Sequence, residues 1–398
     1  MYRATAAVEL ARNYDDDKTM GHIAGVRGFR LLLLWMFALF LCACRADAQA
    51  TARQHLAKLP VTDKHDIRFG RLIVNGETLQ SRIFDIVQDD YGFLWFRTSD
   101  RLYKYDGYSL RSYRHELGCF YRDPDGSFWI GSRSGGLDRL DPSRDTFTHF
   151  RHESGKAASL ANDSVNCIYR DRRGQLWVGT NDGLDRLEPA EGTFVHYRHD
   201  PRSADSLSHN GVYSLYEDKR GNLWVGTERG LNKMDHATGR FSRFLHDPGN
   251  PHSLANDYIG RILEDRSGIL WVSSPKGSGL NALDVKTGEF TTYSFHVEEP
   301  ANQSVAGVAT MFEDQDGALW LGTIDRGLLK LDRERKVFSR YAHEPGNPNS
   351  LPHDTVNSLF EDAEGVMWVG TQNGLTRFHR RLLSISTMQA EEWACTTT

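Results

Sequence analysis

The sequence predicts an all-β fold: a seven-bladed β-propeller of four-stranded antiparallel blades, with the ring closed by an N-terminal strand. Three observations carry that prediction. Seven tryptophans, Trp95, Trp129, Trp177, Trp224, Trp271, Trp320 and Trp368, follow one another at intervals of 34, 48, 47, 47, 49 and 48 residues. Each stands six residues after an aspartate and three after a glycine, as Asp218 and Gly221 stand before Trp224. Most are followed by two more short strand-like segments. Four short strands in a repeat of this length mark a propeller blade rather than a helical solenoid. No long segment of 3.6-residue periodicity competes with that reading. Trp35 and Trp393 fall outside the array.

Within a repeat, the first strand is apolar twelve and nine residues before the tryptophan, as at Val212 and Leu215 or Val308 and Met311. The turn that follows pairs an aspartate able to accept from backbone amides two residues on with a glycine free to take positive φ. The second strand reads Leu-Trp-Val-Gly-Thr in the copy Leu223 to Thr227, β-branched and aromatic as strands prefer. The third reads Gly-Leu-Xaa-Arg/Lys, as from Gly230 to Asp235, and the fourth Phe-Xaa-Xaa-Tyr/Phe, as from Phe241 to Phe244. The regular tryptophans are expected to pack between neighbouring blades. Between blades runs a linker such as His246-Asp247-Pro248-Gly249-Asn250-Pro251-His252-Ser253-Leu254, dense in turn residues and so an ordered surface loop.

Taken along the chain, Arg27 and Arg30 precede an apolar run from Leu31 to Ala43 and the small residues of Ala46 to Ala50, the pattern of a secretory signal peptide over residues 1–50. Leu41-Cys42-Ala43-Cys44 also resembles a lipoprotein signal in which Cys44 would carry a lipid anchor. The propeller is expected over residues 63–380. Ile67 to Leu72 looks like a fourth strand standing ahead of the first hairpin, whereas no such strand follows Leu375 to Phe378. The N-terminal segment is therefore expected to complete blade seven, with Leu382 to Ser386 as the rival. Blade one departs from the repeat, with Phe96-Arg97 in place of Val-Gly and a shortened linker. Residues 381–398 read as a disordered tail.

The 398 residues carry a net charge of -5 and scattered basic groups, which excludes a nucleic-acid footprint. Cys119 and Cys167 each lie ten residues before a tryptophan; a bridge would need unusually close first strands, so two unpaired, buried thiols are expected. The same column holds Asp85, Ser214, Arg261, Thr310 and Ser358. It is polar or small in every blade, so it is read as internal hydrogen bonding or as a polar channel whose charges are Asp85 and Arg261. On the face that carries the linkers, the turns after the second strands present Arg133, Asp182, Arg229, Lys276, Asp325 and Arg326 as candidate ligand-binding groups. The pairs His199-Asp200, His246-Asp247 and His343-Glu344 sit one per blade, so they are expected to cap linkers rather than converge on a metal. No nucleophile with an adjacent base, phosphate loop or metal-spaced cysteine set is present, and no catalytic residue, metal or cofactor is expected.

The repeat Asp-Xaa-Xaa-Gly-Xaa-Leu-Trp-Val-Gly-Thr-Xaa-Xaa-Gly-Leu, followed by Phe-Xaa-Xaa-Tyr and His-Asp-Pro-Xaa-Asn-Pro-Xaa-Ser-Leu, resembles the two-component regulator propeller repeat over about residues 65 to 378. The resemblance implies a periplasmic sensor region of hybrid histidine kinases or diguanylate cyclases, some of which respond to glycans. It implies a non-enzymatic, extracytoplasmic ligand-binding module whose partners are a small molecule, such as an oligosaccharide, or a membrane signalling protein. With half the usual repeats, the chain reads as a sensor half, truncated or standalone. The alternatives are a propeller lyase or hydrolase similar to the streptogramin lyases, or a nonfunctional fragment.

Overall fold

A computed structural model describes residues 56–74, 77–114, 118–277, 279–295 and 307–379. The signal peptide, Cys44, the rival strand at 382–386 and the tail over 381–398 lie outside the described residues. The described chain contains strands and turns only, arranged as seven small antiparallel sheets and one two-stranded ribbon. Blade four is representative: Val212–Glu217, Leu223–Thr227, Gly230–Asp235 and Arg240–Phe244 pair in order. The first strands of successive blades touch all the way round, and that of blade seven (Val356–Glu361) meets that of blade one (Asp85–Gln88). This is a closed seven-bladed propeller.

One bond pattern sets each blade. The aspartate six residues before the tryptophan accepts the indole Nε1–H of that tryptophan on its Oδ2, in every blade from Trp95–Asp89 (2.8 Å) to Trp368–Asp362 (2.7 Å). In most blades its Oδ1 also accepts the amides two and four residues on, as from Asp316 (3.0 Å) and Ala318 (2.9 Å) to Asp314. The glycine of the turn takes positive φ, 80° at Gly221, which is why that position is glycine. The indole, so fixed, packs forward onto the next blade: Trp177 clusters with Val212, Leu223, Val225 and Phe241, and Trp368 with Ile83, Ile86, Leu94 and Phe96 across the closure. The expected role of the tryptophans between blades is the one observed.

The N-terminal strand completes blade seven as expected: Gly70–Arg71 pairs antiparallel with Arg377 and Thr376. Its register is that of an ordinary fourth strand. Phe69 donates its amide to Asn349 O (2.8 Å) as Phe241 does to Asp205 O (2.8 Å), and Leu72 joins the cluster of Trp368. The chain also does something the repeat pattern hides. Leu56–Leu59 adds a parallel fifth strand to residues 292–295 of blade five, and Val61–Asp63 one to residues 338–340 of blade six. Sheet residues thus begin at Leu56, ahead of the boundary drawn at 63, and the strap covers the outer edges of two blades before closing the third.

Candidate ligand cavity on the propeller axis

The seven first strands run beside the axis, and the column ten residues before each tryptophan faces it. All seven of its members, Asp85, Cys119, Cys167, Ser214, Arg261, Thr310 and Ser358, line one cavity of about 670 Å³. The remaining walls come from the starts of first strands and the turns after second strands, both at the linker end of the blades, so the cavity opens on the linker face. Three of the column residues bond to the next blade: Cys119 Sγ to Val165 O (3.8 Å), Cys167 Sγ to Val212 O (4.0 Å) and Ser214 Oγ to Ile259 O (3.4 Å). Both thiols are free, as expected, and burial pushes the Cys119 pKa up to about 12.

Each column residue is the cross-strand partner of the residue two after the tryptophan, which is glycine in five blades: Gly131, Gly179, Gly226, Gly322 and Gly370. A Cβ there would overlap the column side chain; at Gly226 it would strike Ser214 Oγ and lie 2.6 Å from Ile259 Cγ2. The two blades that lack this glycine carry the charged members of the column. Asp85 faces Arg97 and Arg261 faces Ser273. Asp85 and the buried Arg97 form an ion pair, and the Arg97 guanidinium stacks on Phe84 at 4.7 Å. The departure at Phe96-Arg97 and the acid at Asp85 are therefore one feature of the wall.

The sequence offered Asp85 and Arg261 as the charges of a polar channel, beside a reading of the column as internal hydrogen bonding, and both residues line the cavity. Sequence reasoning missed Arg82 and Arg97, which line it too; the signal for Arg97 was an arginine at a position otherwise glycine or serine. Of the six turn residues, Arg133 alone is among the lining residues. Asp182 instead pairs with Arg198 (3.1 Å) and accepts from Asn210 (3.0 Å). Arg229 is an exposed turn residue whose amide bonds Thr227 Oγ1. Lys276 lies over the ring of Tyr258 (4.1 Å), itself a lining residue, and reaches Glu228 at 3.8 Å. Asp325 is 3.9 Å from Arg326, whose side chain is largely buried and whose carbonyl accepts from Arg340. The turn set is thus spread around the rim rather than gathered.

The linker histidines cap, as expected. His199, His246 and His343 bond through Nδ1 to the carbonyls of Leu207 (2.6 Å), Leu254 (2.5 Å) and Leu351 (2.7 Å). The amides of Asp200, Asp247 and Glu344 donate to the serines six residues on. Third strands hold the linkers from beneath, with Ala161 N donating to Asp185 and Ser208 N to Asn232. Among the described residues no cluster could hold a metal ion. No described helix is long and apolar enough to cross a membrane. A second concavity of about 780 Å³ lies on the opposite face between blades one and two, but its charges are matched, Arg139 with Asp125 (2.6 Å) and Arg122 with Asp90.

Comparison with known proteins fits this geometry. The family described as Two component regulator propeller matches residues 159–182, 206–229 and 350–373. No curated protein sequence matches the chain. Among solved structures, the extracellular domain of a putative hybrid two component system from B. thetaiotaomicron is similar at 24% identity and a TM-score of 0.67, over 78% of this chain and 42% of that one. Virginiamycin B lyase from Staphylococcus aureus is similar at 12% identity and a TM-score of 0.58, over 78% of this chain and 98% of the lyase. PorZ, a surface component of the type-IX secretion system of Porphyromonas gingivalis, is similar at 17% identity and a TM-score of 0.57, over 77% and 48%. The chain spans less than half the length of the two-component system domain.

Proposed function

We propose, for a chain in which three segments match the Two component regulator propeller family, that it is an extracytoplasmic sensor module that binds a small polar ligand in its axial cavity. One observation carries the reading. The cavity is walled by a position that the blades fill differently, Asp, Cys, Cys, Ser, Arg, Thr and Ser, while the aspartate, glycine and tryptophan of each repeat do not vary. A scaffold repeated seven times that presents a different polar or small side chain from each blade to one concave surface is an arrangement suited to a binding site. The apolar run from Leu31 to Ala43 supports export, and Cys44 would supply a membrane anchor. Its output partner would be a membrane signalling protein.

The lyase reading is less well supported. Acid–base catalysis on a propeller calls for a histidine and a carboxylate together near the axis. The described residues lining the cavity include no histidine, and their one carboxylate, Asp85, is held by Arg97. The experiment is a thermal-shift screen with oligosaccharides and small metabolites. A ligand at a hundred times its dissociation constant adds about 2.7 kcal/mol to folding and raises the melting point. A cooperative melt that no compound moves would overturn ligand sensing and leave a protein-binding role.

A further inference from the structure

We propose that the ligand of the axial cavity is an anion, a small molecule bearing carboxylate or sulfate groups, held by Arg82, Arg133 and Arg261. The inference rests on the reading of this cavity as the ligand site and specifies its chemistry. Among the described residues four arginines line the cavity, Arg82, Arg97, Arg133 and Arg261, against one carboxylate, Asp85. Because Asp85 is bound to Arg97, the other three guanidinium groups face the cavity without a carboxylate among the lining residues.

Their present partners are neutral. Arg82 donates to Asn357 Oδ1 from Nε (3.2 Å) and Nη2 (2.8 Å), and lies over Phe84 at 4.5 Å. Arg261 donates to Gly260 O at 3.3 Å. Arg133, on the exposed turn after the second strand of blade two, has no hydrogen bond or ion pair among the described residues. Two further side-chain groups of the same wall have no hydrogen-bond partner among the described residues, while their residues are buried to 6% and 5% exposure, Asn357 Nδ2 and Ser358 Oγ. Both can donate, and Asn357 is the residue that orients Arg82.

Like charges gathered in a concave, partly desolvated site repel one another, and guanidinium does not relieve the repulsion by losing its proton. The Arg82 pKa is lowered, first by burial and then by the charges of Arg133 and Arg97. A bound oxyanion removes that repulsion and accepts forked hydrogen bonds, the geometry arginine offers carboxylate and sulfate. Across the axis from blades one and two stand Tyr213 and Tyr258, with ring centroids 5.0 Å apart, an apolar face for the body of the ligand. At the rim Glu228 is matched by Lys276 at 3.8 Å.

The test is titration calorimetry on the full chain at constant ionic strength with sulfate, citrate, a trimer of galacturonic acid and neutral maltotriose. At least one anion is expected to bind, and Arg133→Ala and Arg82→Ala are each expected to weaken it tenfold or more. Arg133→Lys keeps the charge but loses the fork and should weaken it less. Arg133 lies on an exposed turn, so its variants test the site without disturbing the fold. Anion binding unchanged by both alanine variants, or no anion binding, overturns the inference. Maltotriose binding alone would overturn the charge assignment while leaving the cavity as the ligand site.

Discussion

A carboxylate six residues before each blade tryptophan does two jobs at once, closing its own turn and aiming the indole at the next blade. At Asp314 the carboxylate is buried and accepts from Asp316 N (3.0 Å), Ala318 N (2.9 Å) and Trp320 Nε1 (2.8 Å). Charged acceptors of this kind matter mostly through the donors they would leave unpaired. Asp314→Ala is expected to cost about 3–4 kcal/mol in urea unfolding. A loss under 1 kcal/mol would show that water replaces the carboxylate. The glycine two after the tryptophan works by space alone. Gly226→Ala should cost about 1–3 kcal/mol by overpacking against Ser214 and Ile259. Ser214→Gly in the same chain should return part of that loss, and an additive double variant would show that the two residues do not share the space.

At the level of the element, the linker between blades two and three is locked to blade three through a titratable bond. His196, on the fourth strand Thr193–Tyr197, bonds Asp185 Oδ1 through Nδ1 (2.6 Å) and Ala157 O through Nε2 (2.8 Å). Both partners are acceptors, so the doubly protonated ring satisfies them best. The bond to Asp185 raises the His196 pKa above the ordinary histidine value. A folded-state pKa above the unfolded one stabilises fully below the unfolded value, about 6.5, and that stabilisation is lost as pH rises through the folded value. The difference in unfolding free energy between the parent chain and His196→Gln should therefore be largest at and below about pH 6 and shrink above the ordinary histidine value. A difference independent of pH would mean that folding leaves the ring's pKa where it stands in the unfolded chain.

Over the whole molecule, one N-terminal segment serves three blades, and its parts have separable consequences. Residues 56–59 and 61–63 cover the edges of blades five and six, with Leu59 and Val61 packed on the core there, whereas Phe69, Gly70, Arg71 and Leu72 close the ring. Deleting residues through 64 should lower the melting point, and release the amide of Phe338, now bonded to Pro60 O at 2.9 Å, to faster hydrogen exchange. Unfolding should stay a single transition. Deleting residues through 72 opens the ring, and each blade then depends only on its neighbours. Calorimetric and van't Hoff enthalpies should then diverge. If they agree in both deletions, closure by this strand is not what makes the domain cooperative.

The repeat by itself determined the blade count, the strand order, the turn chemistry and the inter-blade place of the tryptophans, and it pointed to Ile67 to Leu72 as the closing strand with Leu382 to Ser386 as the rival. All of these are set by local pattern repeated seven times, and Phe69 and Leu72 could be read because they fall where Phe241 and Phe244 fall. Only the tertiary structure decided the contacts that the repeat does not copy from blade to blade. The parallel strands at Leu56 and Val61 have no counterpart in the repeat, since they bind a free sheet edge through backbone groups that any sequence carries. The pairing of Asp85 with Arg97 is a cross-strand contact between residues twelve apart. The gathering of Arg82, Arg133 and Arg261 on one cavity joins positions that share no column in the repeat. Ring closure brings such residues together, and periodicity, which compares like positions, carries no information about unlike ones that meet at the axis.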